Sequence, residues 1–212
     1  MLPKTTRHYV AMGDSLSEGF SDWGQGDRSI GFAYILAGLL RTAAPGMEWT
    51  NLGTSGARTA DVLRLQLPRA VRLEPDLVTL VVGGNDVTVT APEEFREHYA
   101  GLVARLRSGV QGLIAIATLP DFAHLLPQQY ASFRGGLSDR VHAFNRIIGE
   151  TAARHDALLV DLHTSRESED PRNLSGDGFH PNARGYRAIA RAFAERLNQE
   201  GFDLRLPELD PA

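Results

Sequence analysis

Five short, mostly apolar runs alternate with amphipathic stretches along the chain, and this alternation is what most constrains its fold. The third run is almost continuously apolar, which is typical of a parallel strand covered on both faces. The five predicted strands are residues 9–12, 47–52, 76–82, 113–117 and 158–161. The predicted helices are residues 31–43, 59–73 with a kink or break at Pro68, 92–107, 137–154, and a last one that begins near Pro181.

Regular alternation of strands and helices predicts a three-layer α/β/α sandwich around a five-stranded parallel sheet. We assume right-handed crossovers. Among the possible strand orders we prefer the flavodoxin-like order 2-1-3-4-5, which no residue pattern in the sequence shows directly. A chain of 212 residues is the length of one domain, and it contains no repeat or linker. We therefore expect a single domain over residues 1–212, with residues 1–6 and 199–212 as terminal extensions.

Composition excludes several classes of function. The formal net charge is −4, whereas a general nucleic-acid binder needs a basic face to neutralise phosphates. The chain has no cysteine, so disulfides, thiolate metal sites and a cysteine nucleophile are excluded. No stretch has the length of a membrane span, and the first residues lack the apolar core of a signal peptide. We therefore expect a cytoplasmic protein without stable membrane association. The sequence does not indicate an oligomeric state.

The tetrapeptide Gly13-Asp14-Ser15-Leu16 follows the first predicted strand directly. Open α/β sheets place their ligand sites beyond the carboxyl ends of the strands, so Ser15 lies where such a site is expected. Taken alone, the tetrapeptide is as well explained by a turn in which a serine or aspartate caps a helix. Its interpretation depends on the other loops.

Three further loops carry residues suited to nucleophilic acyl transfer. Gly53 follows the second predicted strand and Asn85 follows the third, while Asp177 and His180 immediately precede the last helix. Loops after parallel strands gather at one sheet edge, so these residues can meet Ser15. A serine nucleophile needs a base, which His180 can be, and Asp177 can fix the histidine tautomer. The N–H groups of Ser15 and Gly53 and the Asn85 amide can serve as oxyanion donors.

The four blocks Gly13-Asp14-Ser15-Leu16, the Gly53 loop, Gly83-Gly84-Asn85-Asp86 and Asp177-x-x-His180 resemble, in order, those of the GDSL/SGNH hydrolase family. The resemblance spans nearly the whole chain. It implies Ser15 as nucleophile, Gly53 and Asn85 in the oxyanion hole, and Asp177 with His180 as orienter and base. The family includes esterases, lipases, thioesterases, carbohydrate acetylesterases and some acyltransferases. It implies hydrolysis of a carboxylic ester without metal or cofactor.

Several of these residues also have a simpler interpretation. Asn85 can cap a turn, and Gly53 can supply a positive φ angle. His163, two residues after Asp161, is an alternative base because it also follows a strand. We interpret Asp14 and Asp86 as hydrogen-bond acceptors that shape their loops. The remaining histidines lack ligand spacing, so no metal site is expected.

Two irregular segments, residues 17–29 and 119–136, are expected to border the mouth of the site and are candidates for a lid. Trp23 in the first and Phe122 in the second are candidate substrate contacts, and Arg58 is a third. The alternative is that the apolar side chains cover core at the sheet edge, and that Arg58 is a solvated helix start. No amphipathic interfacial helix is present, so we expect a small, water-soluble ester with a short acyl chain.

Other functions remain open. An acyltransferase, a thioesterase or a lysophospholipase would use the same site. A flavodoxin-like nucleotide-binding protein is disfavoured because the first loop lacks the G-x-G-x-x-G pattern and the chain has no Walker motif. A non-catalytic binding module is disfavoured because all four blocks retain their chemical groups.

Overall fold

The computed structural model of the protein describes residues 4–20, 31–125, 128–165, 167 and 170–209. Its centre is a parallel sheet of five strands in the order β2-β1-β3-β4-β5, which confirms the predicted order. The strands are β1 His8–Gly13, β2 Glu48–Asn51, β3 Leu77–Val81, β4 Leu113–Ala117 and β5 Leu158–Val160. Each lies within about two residues of its predicted position.

Helices connect the strands and cover both faces of the sheet. They are α1 Ser15–Glu18, α2 Phe32–Ala43, α3 Thr59–Asp61, α4 Leu67–Arg72, α5 Pro92–Gly109, α6 Arg134–Arg154 and α7 Ala183–Gln199. A π-helical turn, Val62–Gln66, joins α3 to α4 just before Pro68. Proline lacks an N–H, so a change of helical hydrogen bonding immediately before it agrees with the predicted break.

The two cores follow from the period-two alternation of side chains along each strand. Val10 and Met12 of β1 point into one core, which the π-helical turn, α4, α5 and α6 cover. Tyr9 and Ala11 point the other way, into a core closed by α2 and α7. All five residues of β3 are buried, as expected for the central strand of a sheet with helices on both faces. The fold is therefore the predicted three-layer sandwich.

Two parts of the chain differ in detail from the prediction. Helix α6 begins at Arg134, three residues earlier than predicted, and the segment before it contains two short 3₁₀ turns, Ala123–Leu125 and Gln128–Phe133. In the C-terminal stretch after α7, Phe202 and Leu204 are buried against the α2/α7 core. Their apolar side chains make this part of the tail a packed element, which two isolated apolar residues in a polar sequence did not indicate.

Within the described residues, no helix combines the length and the apolar character that crossing a bilayer requires.

Candidate active site

The turn at the end of β1 determines the position of Ser15. Gly13 has a φ of +137°, and a Cβ at this position would lie 1.9 Å from the carbonyl oxygen of Val81 in the neighbouring strand. Only glycine fits there, and the close approach lets the Asp14 N–H donate to the Val81 oxygen at 3.1 Å. The Asp14 carboxylate then caps α1 by accepting from the Leu16 N–H at 3.1 Å. Ser15 is thus the first residue of a helix that begins at the carboxyl edge of the sheet.

Gln66, which the sequence analysis did not single out, fixes the same turn from the other side. Its side-chain oxygen accepts from the Gly13 N–H and its amide donates to the Gly13 carbonyl, both at 2.8 Å. The Ser17 hydroxyl adds a bond of 2.7 Å to the Met12 carbonyl. A buried amide that satisfies both backbone groups of one residue holds the turn rigidly. These side chains position Ser15 without touching its hydroxyl.

Asp177 and His180 lie on a braced turn immediately before α7. One oxygen of Asp177 accepts from the N–H groups of Phe179 and His180, at 2.8 and 2.9 Å. The turn is closed by the Ser175 N–H, which donates to the His180 carbonyl at 2.7 Å. Asn182 caps the helix that follows, accepting from the N–H groups of Arg184 and Gly185. These hydrogen bonds restrain the backbone of the turn that holds the His180 imidazole.

The structure brings Ser15, His180 and Asp177 into one line of hydrogen bonds. His180 Nδ1 lies 2.7 Å from the second Asp177 oxygen, and His180 Nε2 lies 3.0 Å from Ser15 Oγ. Burial alone would raise the pKa of Asp177, but the bonds from the His180 ring and from the two backbone N–H groups outweigh it and lower the pKa. An ionised Asp177 accepts from Nδ1–H, which leaves Nε2 free to accept the serine proton. Chemically, this arrangement can activate a hydroxyl.

Phe20 and Tyr186 complete the surroundings of the histidine. The Phe20 ring packs against the His180 ring with centroids 4.7 Å apart. The hydroxyl of Tyr186, a fully buried side chain of α7, donates to the Phe20 carbonyl at 2.6 Å. Because Tyr186 lies on the helix that His180 precedes, this bond ties the end of the α1 loop to the His180 turn.

Asn85 lies in the loop after β3, beside the same site. Its side-chain amide donates to the Ala57 carbonyl at 3.0 Å, which uses one of its two N–H bonds. The next residue, Asp86, accepts from the N–H and hydroxyl of Thr59 at 2.9 and 3.0 Å, and from the Thr90 hydroxyl at 3.1 Å. The expected loop-shaping role of Asp86 agrees with these bonds. They fix the loop that carries the Asn85 amide.

The structure does not support Gly53 as an oxyanion donor. Its N–H already donates to the Asn51 side chain at 2.9 Å, and a Cβ on Gly53 would lie 2.5 Å from the Glu18 nitrogen. Gly53 is thus a close-packing residue that lets α1 approach β2. Gly56, three residues later, differs: its φ is +77°, open space surrounds it, and its N–H has no acceptor among the described residues. It directly precedes Ala57, the partner of the Asn85 amide.

Two buried carboxyl groups near Ser15 have raised pKa values. Burial raises the pKa of Asp14 to about 7, and the nearby charge of Asp86 adds to the shift. Burial also raises the pKa of Asp86, although the hydrogen bonds from Thr59 and Thr90 oppose it. Removing a carboxyl group from water disfavours its charged form, and a second negative charge nearby disfavours it further. Asp14 therefore retains its proton to an unusually high pH.

A cavity of about 100 Å³ opens beside Ser15, Asn85 and His180. Away from these polar groups its walls are mainly apolar, from Leu119, Phe122, Leu125, Leu162, Leu174 and Ile189. We call this cavity the side pocket. Phe122, one of the candidate substrate contacts, lines it. Arg58 does not line it. Arg58 is exposed and immediately precedes α3, and its backbone N–H donates to the Asp61 carboxylate. Trp23 lies outside the described residues.

His163, the alternative base, lies apart from Ser15. Leu162 lines the side pocket, whereas the His163 ring packs against His142 with centroids 4.7 Å apart. His163 Nδ1 is buried and has no hydrogen-bond partner in the part of the chain that the structure describes. Within those same residues, no group of three or more histidine and acidic side chains is placed to hold a metal ion.

Comparison with known proteins identifies the family of the chain. The sequence profile of the GDSL-like Lipase/Acylhydrolase family matches residues 11–188. An acetylxylan esterase from Geobacillus stearothermophilus is 24% identical over 208 residues, which cover 91% of this chain and 93% of that enzyme. An uncharacterized protein of Bacillus subtilis is also 24% identical, over 93% of this chain and 85% of its own length.

Solved structures show the same fold. A catalytic mutant of the Geobacillus acetylxylan esterase superimposes with a TM-score of 0.75 at 21% identity, covering 97% of this chain and 99% of that one. An α/β hydrolase from the metagenome of Lake Arreo gives a TM-score of 0.73 at 24% identity, covering 93% and 97%. With the family profile matched over most of its length, the chain belongs to the GDSL-like Lipase/Acylhydrolase family and is an esterase or acylhydrolase.

Proposed function

We propose that the protein hydrolyses carboxylic esters through an acyl-enzyme intermediate on Ser15. The observation that carries the proposal is the line of hydrogen bonds from Ser15 Oγ through His180 to Asp177, at 3.0 and 2.7 Å. In the relative from Geobacillus, variants with a serine or a histidine replaced by alanine are described as catalytic mutants. The proposed roles of Ser15 and His180 agree with this.

In the first half-reaction, the Ser15 hydroxyl gives its proton to His180 Nε2 as Oγ attacks the ester carbonyl carbon. The carbonyl π electrons move onto oxygen and form a tetrahedral oxyanion. The imidazolium, stabilised by the ionised Asp177, then protonates the departing alcohol as its C–O bond breaks. In the second half-reaction, water attacks the acyl carbon and gives a proton to His180. The proton returns to Ser15 Oγ as the carboxylic acid leaves.

The oxyanion needs hydrogen-bond donors that are already in place. Ser15 supplies its own N–H, which no described residue accepts because it is the first residue of α1. The second proton of the Asn85 amide is a further donor. We assign the third to the N–H of Gly56 instead of Gly53, because the Gly53 N–H is bound to Asn51. Replacing Asn51 with alanine tests this: if the released Gly53 N–H raises kcat, Gly53 is the donor and our assignment fails.

The substrate we propose is a small ester with a short acyl chain. The relative from Geobacillus is named both an acetylxylan esterase and an acetyl-xylooligosaccharide esterase, and both names describe a two-carbon acyl group. In this chain the side pocket beside Ser15 is small and mainly apolar, which suits a short hydrocarbon chain better than a charged group. A panel of esters with different acyl groups on one alcohol tests this proposal, and a preference for long-chain or micellar esters would contradict it.

Labelling with a fluorophosphonate tests the mechanism directly, since an activated serine oxygen displaces fluoride from the probe and becomes phosphonylated. We expect one adduct, located on Ser15 by peptide mass spectrometry. Ser165 also lines the side pocket, but its hydroxyl donates to Glu167 and has no imidazole partner. Ser165→Ala is therefore the matched control and should label like the native protein, whereas Ser15→Ala should not label. A folded native protein that never labels would overturn the mechanism.

A further inference from the structure

The side pocket has an outer wall made by two aromatic rings from different loops. Phe122 comes from the loop after β4, and Phe179 comes from the turn that carries His180. Their ring centroids are 5.5 Å apart and the planes meet at 73°, the edge-to-face arrangement that aromatic pairs favour. Phe179 also packs edge-to-face on His180, with centroids 5.1 Å apart. The two rings form a continuous surface from His180 to the far side of the pocket.

Each ring is held by its own anchored loop. On the Phe122 side, the Asn145 side chain bonds both backbone groups of Leu119, at 2.7 and 2.8 Å. Asp121 is fixed by the Ser138 hydroxyl and the Ala123 N–H. On the Phe179 side, the Phe179 N–H itself donates to Asp177. The contact therefore joins two rigid loops, so the position of the wall follows from the fold.

The two rings differ in exposure: Phe122 is partly buried and packs against the core that α4, α5 and α6 cover, whereas Phe179 lies at the protein surface. Phe179 is 48% exposed, so about half of its ring faces solvent while the other part faces the pocket and Phe122. Phe32, Phe95, Phe144 and Phe193, which belong to the two cores, are fully buried. An aromatic ring kept half in water beside a catalytic histidine contributes little to folding. Its placement is better explained by its position as a wall of the side pocket.

We propose that the Phe122–Phe179 pair sets the longest acyl chain that the enzyme accepts. This rests on the proposed acyl-Ser15 chemistry. An acyl chain that extends from Ser15 into the side pocket gains roughly threefold to fourfold in kcat/KM for each methylene it buries. Once the chain reaches the aromatic wall, further methylenes have no apolar surface to meet. The gain then stops, and longer chains must displace the rings.

The test is a series of p-nitrophenyl esters from acetate to decanoate, with Phe179→Ala compared with the native enzyme. The ratio of kcat/KM for octanoate to that for acetate cancels any general loss and isolates the chain-length effect. We expect this ratio to rise about tenfold or more in Phe179→Ala, because the opened wall lets the chain continue along the protein surface. Phe122→Ala should change it in the same direction. Phe179→Tyr, which keeps the ring contact, should retain the native profile.

Tyr34 provides a matched control. It is 47% exposed and forms an edge-to-face pair with Trp49, but it lies on α2 and does not line the side pocket. Tyr34→Ala should leave the ratio unchanged. An unchanged ratio in Phe179→Ala, or an equal change in Tyr34→Ala, would overturn the proposal. So would a shift seen only when the alcohol is varied and the acyl group is held as acetate.

Failure of the underlying mechanism would look different. If Ser15→Ala hydrolyses the esters as fast as the native enzyme, the acyl-Ser15 chemistry is wrong, whatever the variants of Phe179 do. If Ser15→Ala is inactive and the ratio in Phe179→Ala does not change, the mechanism stands and the aromatic wall does not control chain length.

Discussion

Two loops at the carboxyl edge of the sheet each place a histidine just after an aspartate, and the structure uses them differently. Asp161 and His163 follow β5, while Asp177 and His180 precede α7. Both aspartates accept hydrogen bonds from the N–H groups two and three residues later. The difference lies in the second carboxylate oxygen, which contacts a hydroxyl in one loop and an imidazole in the other.

In the 161–163 loop the carboxylate is fully engaged locally. One oxygen accepts from the Thr118 hydroxyl at 3.0 Å, and the other accepts from the Thr164 hydroxyl. The His163 ring is left to pack on His142. In the 177–180 loop, Asp177 uses one oxygen for the backbone and keeps the other for His180, whose far nitrogen reaches Ser15. A spacing of three residues lets the imidazole fold back onto the carboxylate, which a spacing of two does not achieve here.

The largest expected effect separates the two histidines. His180→Ala should lower kcat by roughly 10³-fold or more, because the serine then has no base. His163→Ala should stay within about twofold of the native value, since its ring does not contact Ser15 or line the side pocket. Steady-state kinetics on a soluble ester measures both. Adding Ser15→Ala to His180→Ala should cause little further loss, because groups that act as a unit are not additive.

If His163→Ala proved the damaging change and His180→Ala did not, the roles of the two loops would be exchanged and our assignment would be wrong. Circular dichroism of each variant separates loss of chemistry from loss of fold.

The proposed oxyanion donor Asn85 extends the comparison of the two loops, because it lines the side pocket together with His180. Asn85→Ala should lower kcat by roughly 10²- to 10³-fold, the usual effect of removing one such donor. KM should change much less, because the donor acts mainly on charge that develops in the transition state. A large increase in KM at unchanged kcat would instead make Asn85 a substrate anchor.

Replacing the aspartate of each loop tests the difference between the two loops more finely. Asp177→Asn should lower kcat roughly 10²-fold or more, because an amide does not hold the histidine tautomer that accepts the serine proton. Asp161→Asn should change kcat by no more than about threefold, but should destabilise the protein by about 1–2 kcal/mol through weakened loop hydrogen bonds. Kinetics and urea unfolding of both variants give the comparison. Equal losses of kcat would mean that the loops act together.

Much of this could be predicted from the sequence, because the signals are local. Apolar runs and helical spacing predicted the five strands, whereas the strand order was a preference for the flavodoxin-like arrangement that no residue pattern shows. Four short blocks predicted that Ser15, Asp177 and His180 meet at one sheet edge, where hydrogen bonds join them. Gly53 illustrates the limit. The Gly53-Thr54-Ser55-Gly56 stretch offers two glycines, and only the bond from Asn51 shows that the first is already engaged.

The remaining features depend on contacts between distant positions. Gln66 holds Gly13 across 53 residues, and Tyr186 holds Phe20 across 166. Neither residue belongs to a motif, because a single glutamine or tyrosine in a helix has many structural uses. The edge-to-face contact of Phe179 with Phe122 is of the same kind. Such pairs follow from packing of the whole fold, so no local sequence pattern predicts them.

The last prediction concerns the stability contributed by Asp14, whose environment is opposite to that of the two loop aspartates. The pKa of Asp161 is lowered: burial opposes ionisation, but hydrogen bonds from Thr164, Thr118 and His163 outweigh it. The pKa of Asp14 is instead raised from 3.8 to about 7, chiefly by burial. In the folded protein Asp14 therefore keeps its proton between these values, while the unfolded chain has lost it. Folding takes up a proton in this window.

It follows that the stability contributed by Asp14 is highest below about pH 4, falls as the pH rises toward about 7, and is constant above that. Asp14→Asn keeps an oxygen for the Leu16 N–H but does not ionise. Relative to the native protein, its free energy of unfolding should therefore improve with rising pH, by at most a few kcal/mol at about 1.4 kcal/mol per pKa unit. Asp161→Asn should show no such change over this range: the pKa of Asp161 is lowered from 3.8, so its carboxylate is ionised in both the folded and the unfolded protein, and its contribution to stability is lost only at lower pH. Urea unfolding at about pH 5 and about pH 8 measures both differences, and a parallel pH dependence of the two variants would show that Asp14 is ionised in the folded protein across this range.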